Sequence, residues 1–338
     1  MRDQFGVLAL GQCGGNIGVL YERKGYSTVY VNTSQEDLAT INGAHKIHIP
    51  GSEGAAKDRK KVLHLASSSI VDIVDKITTI LSQEYIIVTF SAGGGTGSGL
   101  SIPILSYLSQ IGKVCIPVVV LPDDVNESAK SCENAYNTMS ELMRIQGLGA
   151  TFLLDNARDD KFNINNKFVN DLDAFITLKN VSVYGNMDKA ERKQILSCPG
   201  ISIISRTSKP RSTEIDILQG LHDGIYAEVE SKTAYYLGIS TSNKSLDTNS
   251  ILQEFNGVFD VFSGISDATT TVILAGLQFP EKRILRFKDK FEKVVKNINI
   301  GCYHPQLPPL QTLSFTKPSS KPNNEVSPRD ILLGLLNN

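Results

Sequence analysis

Residues 91–99 of this 338-residue sequence read Ser-Ala-Gly-Gly-Gly-Thr-Gly-Ser-Gly, after an apolar stretch at 85–90 and before an amphipathic stretch at 100–110. Successive backbone N–H groups in such a run can turn inward on an anion, and a helix starting just behind them adds the positive end of its dipole. Thr96 and Ser98 supply hydroxyl donors. The chemistry is phosphate binding, since a flexible linker would not sit between a buried strand and an apolar-periodic helix. It is not a Walker A loop, because no lysine lies between Glu84 and Lys113.

A second glycine run, Gly11-Gln12-Cys13-Gly14-Gly15-Asn16, follows the apolar residues 5–10 and leads into a helix at 17–21. The dinucleotide fingerprint Gly-x-Gly-x-x-Gly is broken at Cys13. The next strand, 28–31, ends in Asn32-Thr33-Ser34 in place of the acid that would grip a ribose hydroxyl. Hydride transfer is therefore disfavoured. Two glycine loops at strand ends, each feeding a helix, point to one nucleotide tail clasped from two sides.

On these residues the chain resembles the tubulin and FtsZ superfamily. Gly11-Gln12-Cys13-Gly14-Gly15-Asn16-Ile17-Gly18 is similar to the first phosphate loop of tubulin, and Gly93-Gly94-Gly95-Thr96-Gly97-Ser98-Gly99 matches the superfamily's signature loop. The resemblance implies GTP or GDP as ligand, with Mg²⁺. Gly51-Ser52-Glu53-Gly54-Ala55-Ala56-Lys57 resembles the third phosphate loop, which brings the amides around Gly54, Ala55 and Ala56 to the terminal phosphate. Of Lys57, Arg59, Lys60 and Lys61, at least one is expected to steer phosphate, the rest forming a solvated helix face. Glu53 or Asp58 is a candidate to hold a magnesium-bound water, and no metal ligand is assigned beyond that.

The same resemblance places Asn156 at the base. Phe162 and Asn166, four residues apart and so on one helix face, can stack on the base and read its edge. Glu127 is the preferred ribose contact, although the Glu-x-x-x-Arg pattern of FtsZ is broken by Ser131. Asn186-Met187-Asp188-Lys189-Ala190-Glu191 resembles the loop that superfamily members insert into the nucleotide site of the next subunit. Asp188 and Glu191 face one way at a helix start and would polarise a water, with Asn186 shaping the loop. Asp-x-x-Glu is also a capping box.

In the superfamily these carboxylates and the phosphate loops meet only across a head-to-tail contact. The expected activity is therefore that of a polymerisation-activated GTPase forming dynamic filaments, a homopolymer. Asn32-Thr33-Ser34, Leu153-Leu154-Asp155-Asn156 and a single tail resemble the plasmid and phage tubulins of the TubZ type. That resemblance implies DNA segregation through a DNA-binding adaptor protein engaging the filament or the tail. A division ring of the FtsZ type and a non-hydrolysing nucleotide-binding scaffold stand as alternatives.

The elements that must position these residues follow from hydrophobic period. Strands at 5–10, 28–31, 85–90, 114–121 and 150–154 alternate with helical patterns at 59–81, 100–110 and 129–144. This is an α/β, doubly wound, mostly parallel sheet, with ligands beyond the strand carboxyl ends. The expected organisation is a GTP-binding domain at 1–162 and a long central helix at 163–182. A smaller mixed α/β second (activation) domain follows at 183–300, with strands at 201–204, 235–240, 258–262 and 270–275 and a helix at 213–227. A proline-rich disordered tail at 301–338 ends in an apolar docking segment at 330–336.

A net charge of −1, from 34 basic and 35 acidic residues, gives no basic surface for direct nucleic-acid binding. Five cysteines without a Cys-x-x-Cys pair read as reduced thiols. His45 and His48 alternate on a strand and face opposite sides, which disfavours a metal site. The apolar runs are too short to insert into a membrane. The first strand begins too early for a signal peptide, so a cytoplasmic protein is expected.

Overall fold

The computed structural model describes residues 1–302 apart from 52, 68, 180–184, 208–211, 223 and 267–268. The expected tail and its docking segment lie outside the described residues. The described strands are β1 (Phe5–Leu10), β2 (Ser27–Asn32), β3 (His45–His48), β4 (Tyr85–Ser91), β5 (Val114–Leu121), β6 (Ala150–Asp155), β7 (Gly200–Thr207), β8 (Thr233–Thr241), β9 (Gly257–Ile265) and β10 (Thr270–Leu277). The helices are α1 (Gly11–Arg23), α2 (Gln35–Ala39), α3 (Arg59–Ser67), α4 (Ile70–Ile80), α5 (Thr96–Gln110), α6 (Ala129–Leu142), α7 (Lys161–Ile176), α8 (Lys189–Leu196), α9 (Glu214–His222), α10 (Thr248–Leu252) and α11 (Glu281–Cys302).

One sheet runs β3-β2-β1-β4-β5-β6-β7-β10-β8-β9. β10 is antiparallel to both of its neighbours, and every other pairing is parallel. The central strands are apolar without alternation because helices cover both faces. Every residue of β1 and β6 is buried, as are all but one of β5. Each fully buried Val, Ile or Phe contributes about 1.5–3 kcal/mol. At the far edge, β9 has only Gly264 buried.

Residues Met1–Lys296 form one compact unit. Of the second unit, 297–338, only residues 297–302, the end of α11, are described.

Several elements differ from the sequence expectation. The pattern at 59–81 forms two helices, α3 and α4, and α5 starts at Thr96, inside the glycine run. The helix expected at 213–227 ends at His222, because the chain beyond it pairs with β6: Asp155 N donates to Ile225 O at 2.9 Å and Ala227 N to Leu153 O at 2.9 Å. That segment takes the edge of β6 that β7 leaves free. β6 and β7 pair at only two positions, Ala150 with Gly200 and Thr151 with Ile201. The central helix expected at 163–182 is α7, which starts earlier, at Lys161, and ends earlier, at Ile176, residues 180–182 lying outside those described. Arg192, 2% exposed, donates through Nη1 to the carbonyls of Phe175, Ile176 and Leu178, satisfying the end of α7.

Candidate functional site

A cavity of about 490 Å³ opens beyond Leu10, Asn32 and Ser91, the carboxyl ends of β1, β2 and β4. Two helices start at its wall. α1 begins at Gly11 and α5 at Thr96, and neither has a side-chain cap on its first turn. Their first amides are therefore left for another acceptor, and both dipoles favour an anion there. The loops close on one another only because they are glycine. A Cβ on Gly11, whose φ is +69°, would lie 3.0 Å from Gly97 N. A Cβ on Gly95 would lie 2.5 Å from Ala55 Cβ and 3.1 Å from Lys57 Cα. So the first, signature and third loops form one continuous surface.

Lys57 supplies the one cation among the described lining residues. Its Nζ donates to Ser131 Oγ at 2.6 Å and to Ser128 Oγ at 3.2 Å, at the start of α6. The third loop reaches this position through two left-handed non-glycine residues, Ala56 (φ 46°) and Lys57 (φ 61°). Such backbone costs free energy that the surroundings must offset. Asn134 of α6 offsets part of it, donating through Nδ2 to Lys57 O at 2.8 Å and to Gly94 O at 3.0 Å. The hydroxyls of Thr33 and Thr96 are 2.7 Å apart and join β2's exit to the signature loop.

Glu36, Asp37, Glu53 and Glu127 also line the cavity. Asn32 lines it too, its Nδ2 donating to Asp37 Oδ2 at 3.1 Å. Burial pushes the Cys13 thiol up to about 12, the Glu127 charge adding to the effect and Lys161 opposing it. The oxygen donors fit Mg²⁺, a hard cation. No cluster of three His, Cys, Asp or Glu ligands exists among the described residues. Asp37 and Glu53 would hold such an ion through its waters, and the ion would supply charge neutralisation at phosphate oxygens. Asp58 is elsewhere, its Oδ1 accepting from Lys61 N at 3.0 Å at the start of α3.

Of the residues the sequence assigns to nucleotide, the cavity gathers Gly11, Gln12, Cys13, Asn32, Gly54, Ala55, Ala56, Gly93 to Gly97 and Glu127. Three others, Gly14, Gly15 and Ser98, serve the fold. Gly14 and Gly15 lie in the body of α1, where a Cβ would meet Thr89 O at 2.2 Å and Ile41 Cδ1 at 2.8 Å, and Asn16 is exposed on the same helix. Ser98, expected to offer a hydroxyl, is fully buried and donates to Gly94 O and Gly95 O. Arg59, one of the four basic residues expected either to steer phosphate or to be solvated, is 8% exposed and bonds Ser98 O and Glu141.

The base residues stand outside the cavity lining. Phe162 is 59% exposed, and Asn166 Nδ2 donates to Phe162 O at 2.8 Å. Asn156 Oδ1 is buried with no partner among the described residues, an acceptor left open at the end of β6. Asn134, Ser131, Thr33 and Asp37 were not legible as site residues. Their roles depend on neighbours far along the chain, although Asn134 and Ser131 share the helical face of buried Cys132 and Ala135.

Asp188, Glu191 and Asn186 are not at the cavity either. Asp188 Oδ1 accepts from Glu191 N at 2.8 Å and Glu191 Oε2 from Asp188 N at 2.7 Å, the reciprocal cap of α8. α8 lies at the amino ends of the strands. Lys193 pairs with Glu84, the residue before β4, at 3.1 Å, and the Lys189 charge acts on Asp3, just before β1. Within one molecule, the carboxylates and the cavity loops are therefore at opposite ends of the parallel sheet.

Residues 4–159 match the GTPase domain of the Tubulin/FtsZ family. The tubulin-like protein TubZ of Clostridium botulinum C phage is 27% identical over 306 residues, covering 86% of this chain and 83% of that protein. The crystal structure of Clostridium botulinum phage c-st TubZ superposes with a TM-score of 0.80 at 26% identity, covering 88% of this chain and 100% of that one. A GTPγS-form protofilament of Bacillus thuringiensis serovar israelensis TubZ shares the fold, with a TM-score of 0.74 at 20% identity over 88% of this chain and 94% of that one.

Proposed function

We propose that this chain, whose residues 4–159 match the GTPase domain of the Tubulin/FtsZ family, binds GTP in the loop-lined cavity and hydrolyses it in a head-to-tail filament. Asp188 and Glu191 of one copy would polarise water at the nucleotide of the next, Asn186 shaping their loop. The observation that carries this reading is the placement of α8 at the amino ends of β1 and β4, with the cavity at the carboxyl ends. A single chain cannot bring the two together. Stacking copies along the sheet direction does, and such a heterologous contact propagates without closing.

In this reading the amides of α1 and α5 hold phosphates, and Lys57 with the third loop meets the terminal one. Glu127 faces the ribose, and Asn156 with Phe162 and Asn166 faces the base, closing over it as the nucleotide arrives. Residues 183–300 act as the activating half, and 301–338 as a tail that engages a DNA-binding adaptor. The filament would segregate plasmid or phage DNA, since the net charge of −1 gives the chain no nucleic-acid surface of its own and a relative belongs to a phage.

The test is GTP turnover per subunit against protein concentration, with pelleting in parallel, for wild type and Glu191→Gln. Glutamine keeps the reciprocal cap, so folding is preserved while the charge is lost. Turnover should rise together with pelleting in the wild type, and the variant should pellet without turnover. Concentration-independent turnover, or a variant as active as wild type, would overturn the shared-site mechanism.

A further inference from the structure

Three cations of α11, at positions 283, 286 and 290, lie on one helical face and grip the loop from β5 to α6. Arg283 is 6% exposed. Its Nε and Nη2 donate to Asp155 at 2.7 and 2.8 Å, its Nη2 also donates to Pro122 O at 2.9 Å, and its Nη1 pairs with Asp124. Arg286 holds the same Asp124 carboxylate at 2.9 Å. Lys290 Nζ donates to the carbonyls of Asp124, Val125 (3.1 Å) and Glu127 (2.6 Å). Three carbonyl dipoles turned toward one point repel each other unless a cation sits there.

The gripped loop is part of the nucleotide cavity's frame. Glu127 and Ser131 line the cavity, Ser128 caps α6, and Ser128 and Ser131 together hold the Lys57 ammonium. Asp155 immediately precedes Asn156, with its unpartnered amide oxygen. The clamp does not itself touch the cavity.

We propose that Lys290 is a positioning residue for the nucleotide site: by gathering the 124, 125 and 127 carbonyls it fixes where Glu127 stands, so that α11 sets nucleotide affinity. The inference rests on the nucleotide reading of the cavity. Its consequence is that a partner or chain segment pulling on α11 changes nucleotide hold without entering the site.

The test uses the full chain and a fluorescent GDP, titrated against wild type, Lys290→Met, Glu127→Gln, the double variant, and the exposed charge-matched control Lys293→Met. Lys290→Met should weaken binding about tenfold, the scale of a lost charge-assisted contact. The double variant should be no weaker than the worse single variant, because both act through one group. Lys290→Met should raise KM for GTP with kcat at saturation unchanged, a split that general destabilisation does not produce. Lys293→Met should match wild type. Additive single effects, or wild-type affinity in Lys290→Met, would overturn the positioning role. Failure of wild type itself to bind guanine nucleotides would instead overturn the reading of the cavity.

Discussion

Lys57→Met removes the single ammonium among the described residues that line the cavity while leaving a side chain of similar length. In the folded protein that ammonium rests on two serine hydroxyls, at 2.6 and 3.2 Å, which cost little to release to water. Facing a triphosphate, the same group makes a charge-assisted contact of about 1.5–3 kcal/mol. Its loss is therefore worth roughly 10- to 150-fold in affinity for GTPγS. The loss should be smaller for GDP, which lacks the terminal phosphate.

Two companion variants separate the charge from the backbone. Lys57 and Ala56 sit at φ 61° and 46°, where glycine relieves about 1–2 kcal/mol per residue. Lys57→Gly should bind as weakly as Lys57→Met while unfolding no earlier than wild type, and Ala56→Gly should be more stable with affinity nearly unchanged. Calorimetric titration at low and high salt reads all three, with the affinity gap narrowing as salt screens the contact. Wild-type affinity in both Lys57 variants would refute the assignment of Lys57 to phosphate.

Gly95→Ala should weaken nucleotide binding without unfolding the chain, because the added methyl would meet Ala55 Cβ at 2.5 Å and displace the third loop; titration and a thermal melt together check it. Arg283→Met should lower the melting temperature by about 5–8 °C. It strands the buried Asp155 carboxylate and leaves Asp124 to Arg286 alone, at a cost of about 3–5 kcal/mol, spread over roughly 300 ordered residues at about 2.1 cal/mol/K each. Burial works against the Asp124 carboxylate, but Arg283 and Arg286 outweigh it and hold its carboxyl below the ordinary 3.8. A depressed carboxyl stabilises the fold above its unfolded value and stops doing so as pH falls through its folded one. The melting-temperature gap between wild type and Asp124→Asn should accordingly be widest at neutral pH and close as pH falls below 3.8 and through the lowered folded value.

Much of the scaffold was legible because its strands are uninterrupted apolar runs between glycine signals. The ranges 5–10 and 114–121 coincide with β1 and β5. The glycine runs marked the cavity-lining residues for the same local reason, that only glycine permits the close approaches at Gly11 and Gly95. Roles set by distant partners were not legible. Gly14 and Gly15 read as phosphate residues, yet they allow α1 to pack on Thr89 and Ile41. Asn134 looks like an ordinary helix residue until two loops from elsewhere in the chain meet its amide. α11 was overlooked, although buried Ile284 and Phe287 and partly buried Phe291 mark its inner face. Asp188 and Glu191 carried two meanings from the start. The folded chain shows the cap, and the proposed catalytic role needs a second copy.

The join between β6 and β7 holds through two paired positions, whereas β4 and β5 pair at seven. Seen as a plate, the ten-stranded sheet is thinnest in stiffness along that line, where few backbone bonds resist bending or shear. Arg192 bridges nearby from α8 to the end of α7, like a strap across a fold in card. Were copies stacked as proposed and loaded end to end, elastic strain would gather at the sheet's most compliant line, so each copy would flex at the β6–β7 join before its cavity loops deform.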